Sequence, residues 1–408
     1  MNNLSPSIES LNQFRSLADP HTDQIVEKIH QEGRRDVLEL FKKLDKNSDL
    51  VGPEFPNYIQ EYFNNQEVPT WVNWDKIKLA QQVFSKYGDA ISMLLFFKAL
   101  PTCYCCAKGA KVMYKTQRFV QDHNERFDTF TKRLVETAQY VINILSPNGF
   151  ETDEKGLITA KKVRLIHSTI RYYILKNNDW NKEEDGIPIN QEDLTGTLLS
   201  FSSLIIEGLE QTGINLSQEE KEAYIHVWRY AGYLNGIEDE LLPTSYQHAV
   251  TLQKAILTHQ VAYSLEGKEL IDSLIKYIEY VIPGNLFDGF AIIMVRHYMG
   301  DQYADLMQVP HEKELISKVT TKLVSLSFDT KEDLMNSSLI ARSFFKKVNK
   351  LFLQGMLSYY NEFEEVHFYL PKSLQTDWKV ASWDTVVSTP TLGSYRLAIQ
   401  KKISDTTE

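Results

Sequence analysis

Only three of the 408 residues are cysteine, and all fall in the run CYCC, at Cys103, Cys105 and Cys106. A zinc or iron–sulfur site draws ligands from separated segments, and a disulfide framework needs spaced pairs, so neither is supported. The thiols read instead as small, half-buried residues at a helix junction, which fits a reducing compartment. Concentrated positive charge is equally scarce. The formal net charge is −10 and no Lys/Arg cluster stands out, which argues against a nucleic-acid partner, because phosphate neutralisation needs one. The opening MNNLSPSIESLNQF has no basic segment followed by an apolar run, so no secretory signal is expected. No stretch of about 18 uninterrupted apolar residues exists either. The nearest, AISMLLFFKAL at 90–100, is too short and carries Lys98. These absences together predict a cytoplasmic protein without a transmembrane segment. Strand-period runs, internal repeats, low-complexity tracts and an interdomain linker are missing too.

What is present is the make-up of a globular protein with a sizeable core: 43% hydrophobic and 24% charged residues. Aromatics reach 12%, which suits the enclosure of a large flat ligand and equally suits a plain core. Helical periodicity dominates. It predicts helices over 21–46, 74–100 (ended by Pro101), 124–145 (stopped by SPNG) and 157–177, with Thr159 as N-cap. A further helix runs over 192–213 to a stop at Gly213, and one over 217–237 opens on a capping box, Ser217 with Glu220. Others follow over 246–264, 267–281, 287–307, 311–327 and 337–363. The expected architecture is all-α. An N-terminal helical extension (1–84) and C-terminal helices (311–408) pack on a core at 85–310.

The stretch VRLIHSTIR, 163–171, sets Arg164, His167 and Arg171 three and four residues apart, on one helical face among Leu165, Ile166 and Ile170. A lone histidine on an apolar helix is more often a satisfied core residue than a ligand. The arginines change the balance, since an arginine is expensive to bury unpaired and two of them imply an anionic partner. Haem would meet both needs, with iron taking the imidazole and propionates the arginines; acidic side chains elsewhere would satisfy the arginines equally well. The preceding helix carries Arg133, Glu136 and Thr137 in KRLVETAQ. If it faces His167 it offers a cation, a hydroxyl and a possible base. Otherwise it is an Arg–Glu pair and a helix-interior threonine.

Several segments in order resemble the rubber oxygenase (latex clearing protein) family, which includes a membrane-bound fungal oxygenase of mycophenolic acid biosynthesis. They are YCCAKGAKVMYKTQR, RLVETAQYV, VRLIHSTIR, GIPINQEDLTGTLLSFS, VWRYAGYLNGI and VRHYMGDQYADLM, between about residues 85 and 310. The resemblance implies a globin-like helical core holding haem b, with His167 as the iron ligand and Arg164 and Arg171 beside it. It implies Arg133 and Thr137 on the opposite side and Arg296 near the haem. His226 is the rival ligand. Trp228, Arg229, Gly232 and Gly236 look like structural signature residues. His21, His30, His123, His248, His259, His297, His311 and His367 are bystanders. Two departures stand out. Glu136 replaces the lysine of the rubber-cleaving members, and no clean match exists for their catalytic glutamate, although Gln117, Asp122 and Glu125 lie in the region and Glu136 itself is a candidate base. The absence of a secretion signal points away from an extracellular polymer and toward a small organic substrate, oxidised with dioxygen or peroxide. A non-catalytic haem carrier or sensor, and a helical interaction protein that has lost the cofactor, are the alternatives.

Overall fold

The computed structural model describes residues 6–32, 56–65, 67–116, 128–151, 155–177, 179–281 and 289–311. Among them every extended element is helical, apart from one isolated antiparallel bridge between Cys106 and Val261. The helices expected over 311–327 and 337–363, the second half of 21–46, and the positions Gln117, Asp122, His123, Glu125 and His367 lie outside the described residues. No described helix is long and apolar enough to cross a membrane.

The spine is a pair of helices, α4 (Trp74–Leu94) and α12 (Gln218–Leu234). Asn73 caps α4 by accepting from the Lys76 N–H, and Ser217 and Glu220 form the expected capping box of α12. Ile77, Ala80, Phe84 and Ile91 belong to one core cluster with Tyr224, Trp228 and Ala231, and all seven are fully buried. Burying each of the larger ones contributes roughly 1.5–3 kcal/mol. The boundary expected at 84/85 falls inside α4.

Before the spine come α1 (Ile8–Arg15), α2 (Pro20–Glu32) and α3 (Asn57–Asn64). A separate apolar cluster of Val26, Ile29, Ile59, Tyr62 and Phe63 around Leu165 fixes α2 and α3 on α8 (Lys155–Lys176). Arg15 anchors α1 through ion pairs to the buried Glu192 at 3.2 Å and to Asp193 at 2.9 Å on α10 (Gln191–Phe201). His259, a bystander by sequence, holds the other Glu192 oxygen at 2.7 Å.

Three helix boundaries depart from the periodicity. Pro101 does not end its helix. A π-turn, Leu95–Ala99, lets the Leu100 N–H bond the Leu95 carbonyl, and α5 (Leu100–Tyr104) carries on with the proline in its first turn, where its missing N–H costs little. The helix expected over 192–213 breaks at Ser202 into α10 and α11 (Ser203–Gln211). Ser200 and Ser202 there each bond back to the carbonyl four residues earlier at 2.9 Å, a competition that bends helices. Gly300 likewise divides α15 (Phe290–Met299) from α16 (Asp301–Leu306). The chain is completed by α6 (Ala107–Lys115), α7 (Asp128–Leu145), α9 (Lys182–Asp185), α13 (Tyr246–Gln260) and α14 (Leu265–Val281). The cysteines sit at the α5–α6 junction as free thiols, and burial raises the pKa of each.

Candidate functional site

The motif helix α8 is embraced by α2, α7 and α12. α7 and α8 form a close hairpin. A Cβ on Gly156 would stand 2.8 Å from the Asn143 carbonyl, so only glycine permits this approach. The register is set where the Asn143 amide donates to the Thr159 hydroxyl at 2.8 Å. Thr159 is thus no N-cap: it lies buried inside α8, because the helix starts earlier, at Lys155. Continuing antiparallel from this contact, α7 brings Arg133 close enough to act electrostatically on His167.

His167 is ringed by protein. Desolvation pulls its pKa down to about 3, the charges of Arg133 and Arg171 add to the shift, and Asp19 opposes it. The imidazole is therefore uncharged at any physiological pH, the form a metal requires. Its Nδ1 is buried without a hydrogen-bond partner, although the residue as a whole keeps partial exposure. His226 differs: its Nε2 accepts the Asn73 N–H at 2.8 Å and its ring lies edge-on to Trp71, so it serves the start of α4.

The anions that the two arginines demand come from α2 and the residue just before it. Asp19 takes Arg164 in a two-point pair, at 2.6 Å to Nε and 2.9 Å to Nη2, and is itself held by Thr22 at 2.6 Å. Arg171 pairs with Asp23 and also donates to Pro188 and Ile189 carbonyls at 3.0 and 2.8 Å and to Ser168 at 3.1 Å. These pairings spend both guanidinium groups on protein partners, which was the second option open from the sequence. Gly236, at φ +80, lies on the Arg164–Asp19 pair; a Cβ there would meet Arg164 Nε at 2.4 Å.

On α7, Arg133 pairs with Glu136 at 3.0 Å, and the Thr137 hydroxyl donates to the Arg133 carbonyl at 2.9 Å. All three side chains keep partial exposure. Arg296 is not brought to this group. It is buried at the α15–α16 corner, where it binds Asp301, Asp305 and the Val309 carbonyl, on helices that are not main packing partners of α8.

Sequence reasoning missed Asp19, Thr22 and Asp23. The signal was available: DPHTD sets two carboxylates one helical turn apart at the start of an amphipathic helix. Among the described residues no cluster of three His, Cys, Asp or Glu side chains stands ready for a metal ion, so a metal here would need a ligand set supplied largely from outside the protein.

Comparison with known proteins bears on this arrangement. The catalytic domain described as "ER-bound oxygenase mpaB/B'/Rubber oxygenase" matches residues 95–325, more than half of the chain. A rubber oxygenase from Streptomyces sp. (strain K30) is 20% identical over 288 residues, covering 69% of this chain and 68% of its own length. The structure of latex clearing protein LCP in the closed state superposes with a TM-score of 0.63 at 17% identity, over 84% of this chain and 91% of that one. A likeness at this level is one of fold.

Proposed function

The chain belongs to the family of mpaB-type and rubber oxygenases, and from that premise we propose that it is a haem b-dependent oxygenase that oxidises a small, apolar or aromatic organic molecule with dioxygen or peroxide. One observation carries the reading: His167 is an uncharged, enclosed imidazole whose Nδ1 the protein leaves unpaired. A buried polar atom without a partner is costly, and a metal bound at that nitrogen would repay that cost. The residues fit haem, which brings its own four nitrogen ligands and asks the protein for one. When bound, it would supply the activation of the oxidant at its iron.

The other residues have distinct tasks in this reading. Arg164 and Arg171, through Asp19 and Asp23, lock α8 on α2 and fix the direction of the His167 ring, rather than holding propionates. Arg133 is the donor whose charge reaches His167, and Glu136 orients it. The Thr137 hydroxyl donates its hydrogen bond to the Arg133 carbonyl, so toward any other group its oxygen is an acceptor and not a second donor. Glu136 remains the candidate base. Arg296 stabilises the α15–α16 corner.

The test is haem-normalised oxygen consumption with a reductant over a panel of apolar and aromatic substrates. Arg133→Ala should slow turnover by about a hundred- to a thousandfold, the loss of one preorganised donor at roughly 2.7–4 kcal/mol. Thr137→Val should cost less. Near wild-type turnover by Arg133→Ala would remove α7 from the reaction, and a haem-loaded protein that oxidises nothing would remove the oxygenase reading itself.

A further inference from the structure

Arg229, on α12, differs from the arginines described so far. Arg15, Arg164, Arg171 and Arg296 each hold at least one carboxylate. The half-buried Arg229 holds none. Its guanidinium stacks on the Trp71 ring, 3.9 Å from the centroid. Nε is buried without a partner, and no hydrogen bond or ion pair reaches the group among the described residues. Asp239 acts on it only from a distance, and burial leaves its pKa below the ordinary value. Buried charges are ordinarily paired, because a desolvated cation without an anion is costly.

The indole beneath the guanidinium is held in place. The Val72 N–H bonds the Pro69 carbonyl at 3.0 Å, and the Asn73 N–H bonds His226 Nε2 at 2.8 Å. His226, Tyr230 and Tyr233 stand edge-on to the Trp71 ring at 5.8, 6.4 and 6.1 Å. Trp74 stands edge-on to Tyr230 at 6.0 Å and is 36% exposed. The phenol oxygens of Tyr230 and Tyr233 also lack a partner among the described residues. They are not sealed from solvent, and neither are the Nη atoms of Arg229. A guanidinium fork and two phenols thus surround one fixed indole at the protein surface, all of them able to donate.

We propose that Arg229, with the Tyr230 and Tyr233 hydroxyls, binds the carboxylate of an aromatic acid whose ring packs against Trp74. A carboxylate matches the guanidinium fork with two parallel hydrogen bonds. One guanidinium answers one negative charge, and Asp239 disfavours a second. The surroundings are indole and phenol, which a planar ring covers well and a small hydrated anion does not. The site makes no use of His167, so it stands whether or not the oxygenase reading does.

The experiment is calorimetric titration of the purified full chain with 2-naphthoate and with its neutral counterpart 2-naphthamide, repeated for the acid in the presence of inorganic phosphate. Wild type should bind the acid about tenfold or more tighter than the amide. Arg229→Gln should bring the two within about twofold. Arg229→Lys, which keeps the charge and loses the fork, should reduce the preference. Trp74→Ala, at an exposed position, should weaken both ligands alike and leave their ratio. No binding of the acid by wild type, equal affinities for acid and amide, or a preference undiminished in Arg229→Gln or Arg229→Lys would overturn the proposal. Displacement by phosphate would overturn the aromatic-acid assignment. An affinity that falls in His167→Ala and not in Arg229→Gln would overturn it too, by placing the ligand at α8.

Discussion

Replacing Arg171 by methionine asks whether this arginine serves the fold or the cofactor. The side chain is 3% exposed and its partner Asp23 is 29% exposed. Removing one partner of a buried ion pair costs about 3–5 kcal/mol. Because Asp23 is partly open to water, and burial already raises its pKa so that it takes up a proton more easily, that share falls to about 1–2 kcal/mol. Two backbone carbonyls, of Pro188 and Ile189, also lose their donor, at about 1 kcal/mol each. Methionine keeps most of the buried stem, so the loss should total about 3 kcal/mol. The assay is urea unfolding, followed by far-UV ellipticity, of protein prepared without haem. The midpoint should drop with little change in slope. If the haem-free protein instead kept its stability within about 0.5 kcal/mol and lost only its capacity to retain haem, Arg171 would be a cofactor residue and the Asp23 pairing incidental.

Two further outcomes follow from the same geometry. His167 is pulled down from the ordinary 6.5 to about 3, so below pH 6.5 the unfolded chain binds the proton that the folded chain refuses, and stability falls as pH drops toward 3. At pH 5 this amounts to about 2 kcal/mol. His167→Gln should remove that part of the acid sensitivity in unfolding curves taken at pH 7.5 and 5, and an unchanged pH dependence would show the imidazole is not held neutral. Gly236→Ala should cost about 2 kcal/mol, since alanine is strained at positive φ and its Cβ collides with Arg164; a variant as stable as wild type would mean the α12 corner is free to move.

The helices were legible because their apolar residues recur at the helical period, and the start of α12 was legible because Ser217 and Glu220 carry the capping chemistry within one turn. The breaks were harder. Pro101 reads as a terminator unless the π-turn before it is known, and nothing in LLFFKAL announces an extra residue per turn. The bend at Ser202 depends on hydroxyls choosing their own helix's carbonyls, a competition that sequence leaves undecided. For the site, the spacing of Arg164, His167 and Arg171 placed three side chains on one face and required an anion for the arginines. It could not say which anion, because Asp19 and Asp23 reach them only through the packing of α2 on α8. Arg229 read only as a structural signature residue, since what distinguishes it is a guanidinium left without an anion once Trp71 has packed on it.

The account's central claim is that His167 is the protein's one ligand to haem iron, and it is tested most directly by haem titration followed in the Soret region. Wild type and His226→Ala should both bind haem non-covalently and form a ferrous–CO band of the histidine-ligated kind, away from the 450 nm region that marks thiolate, on the order expected for such ligation. His167→Ala should fail to form it. A wild-type protein that gains no Soret band, or a band that survives in His167→Ala and vanishes in His226→Ala, would contradict the claim.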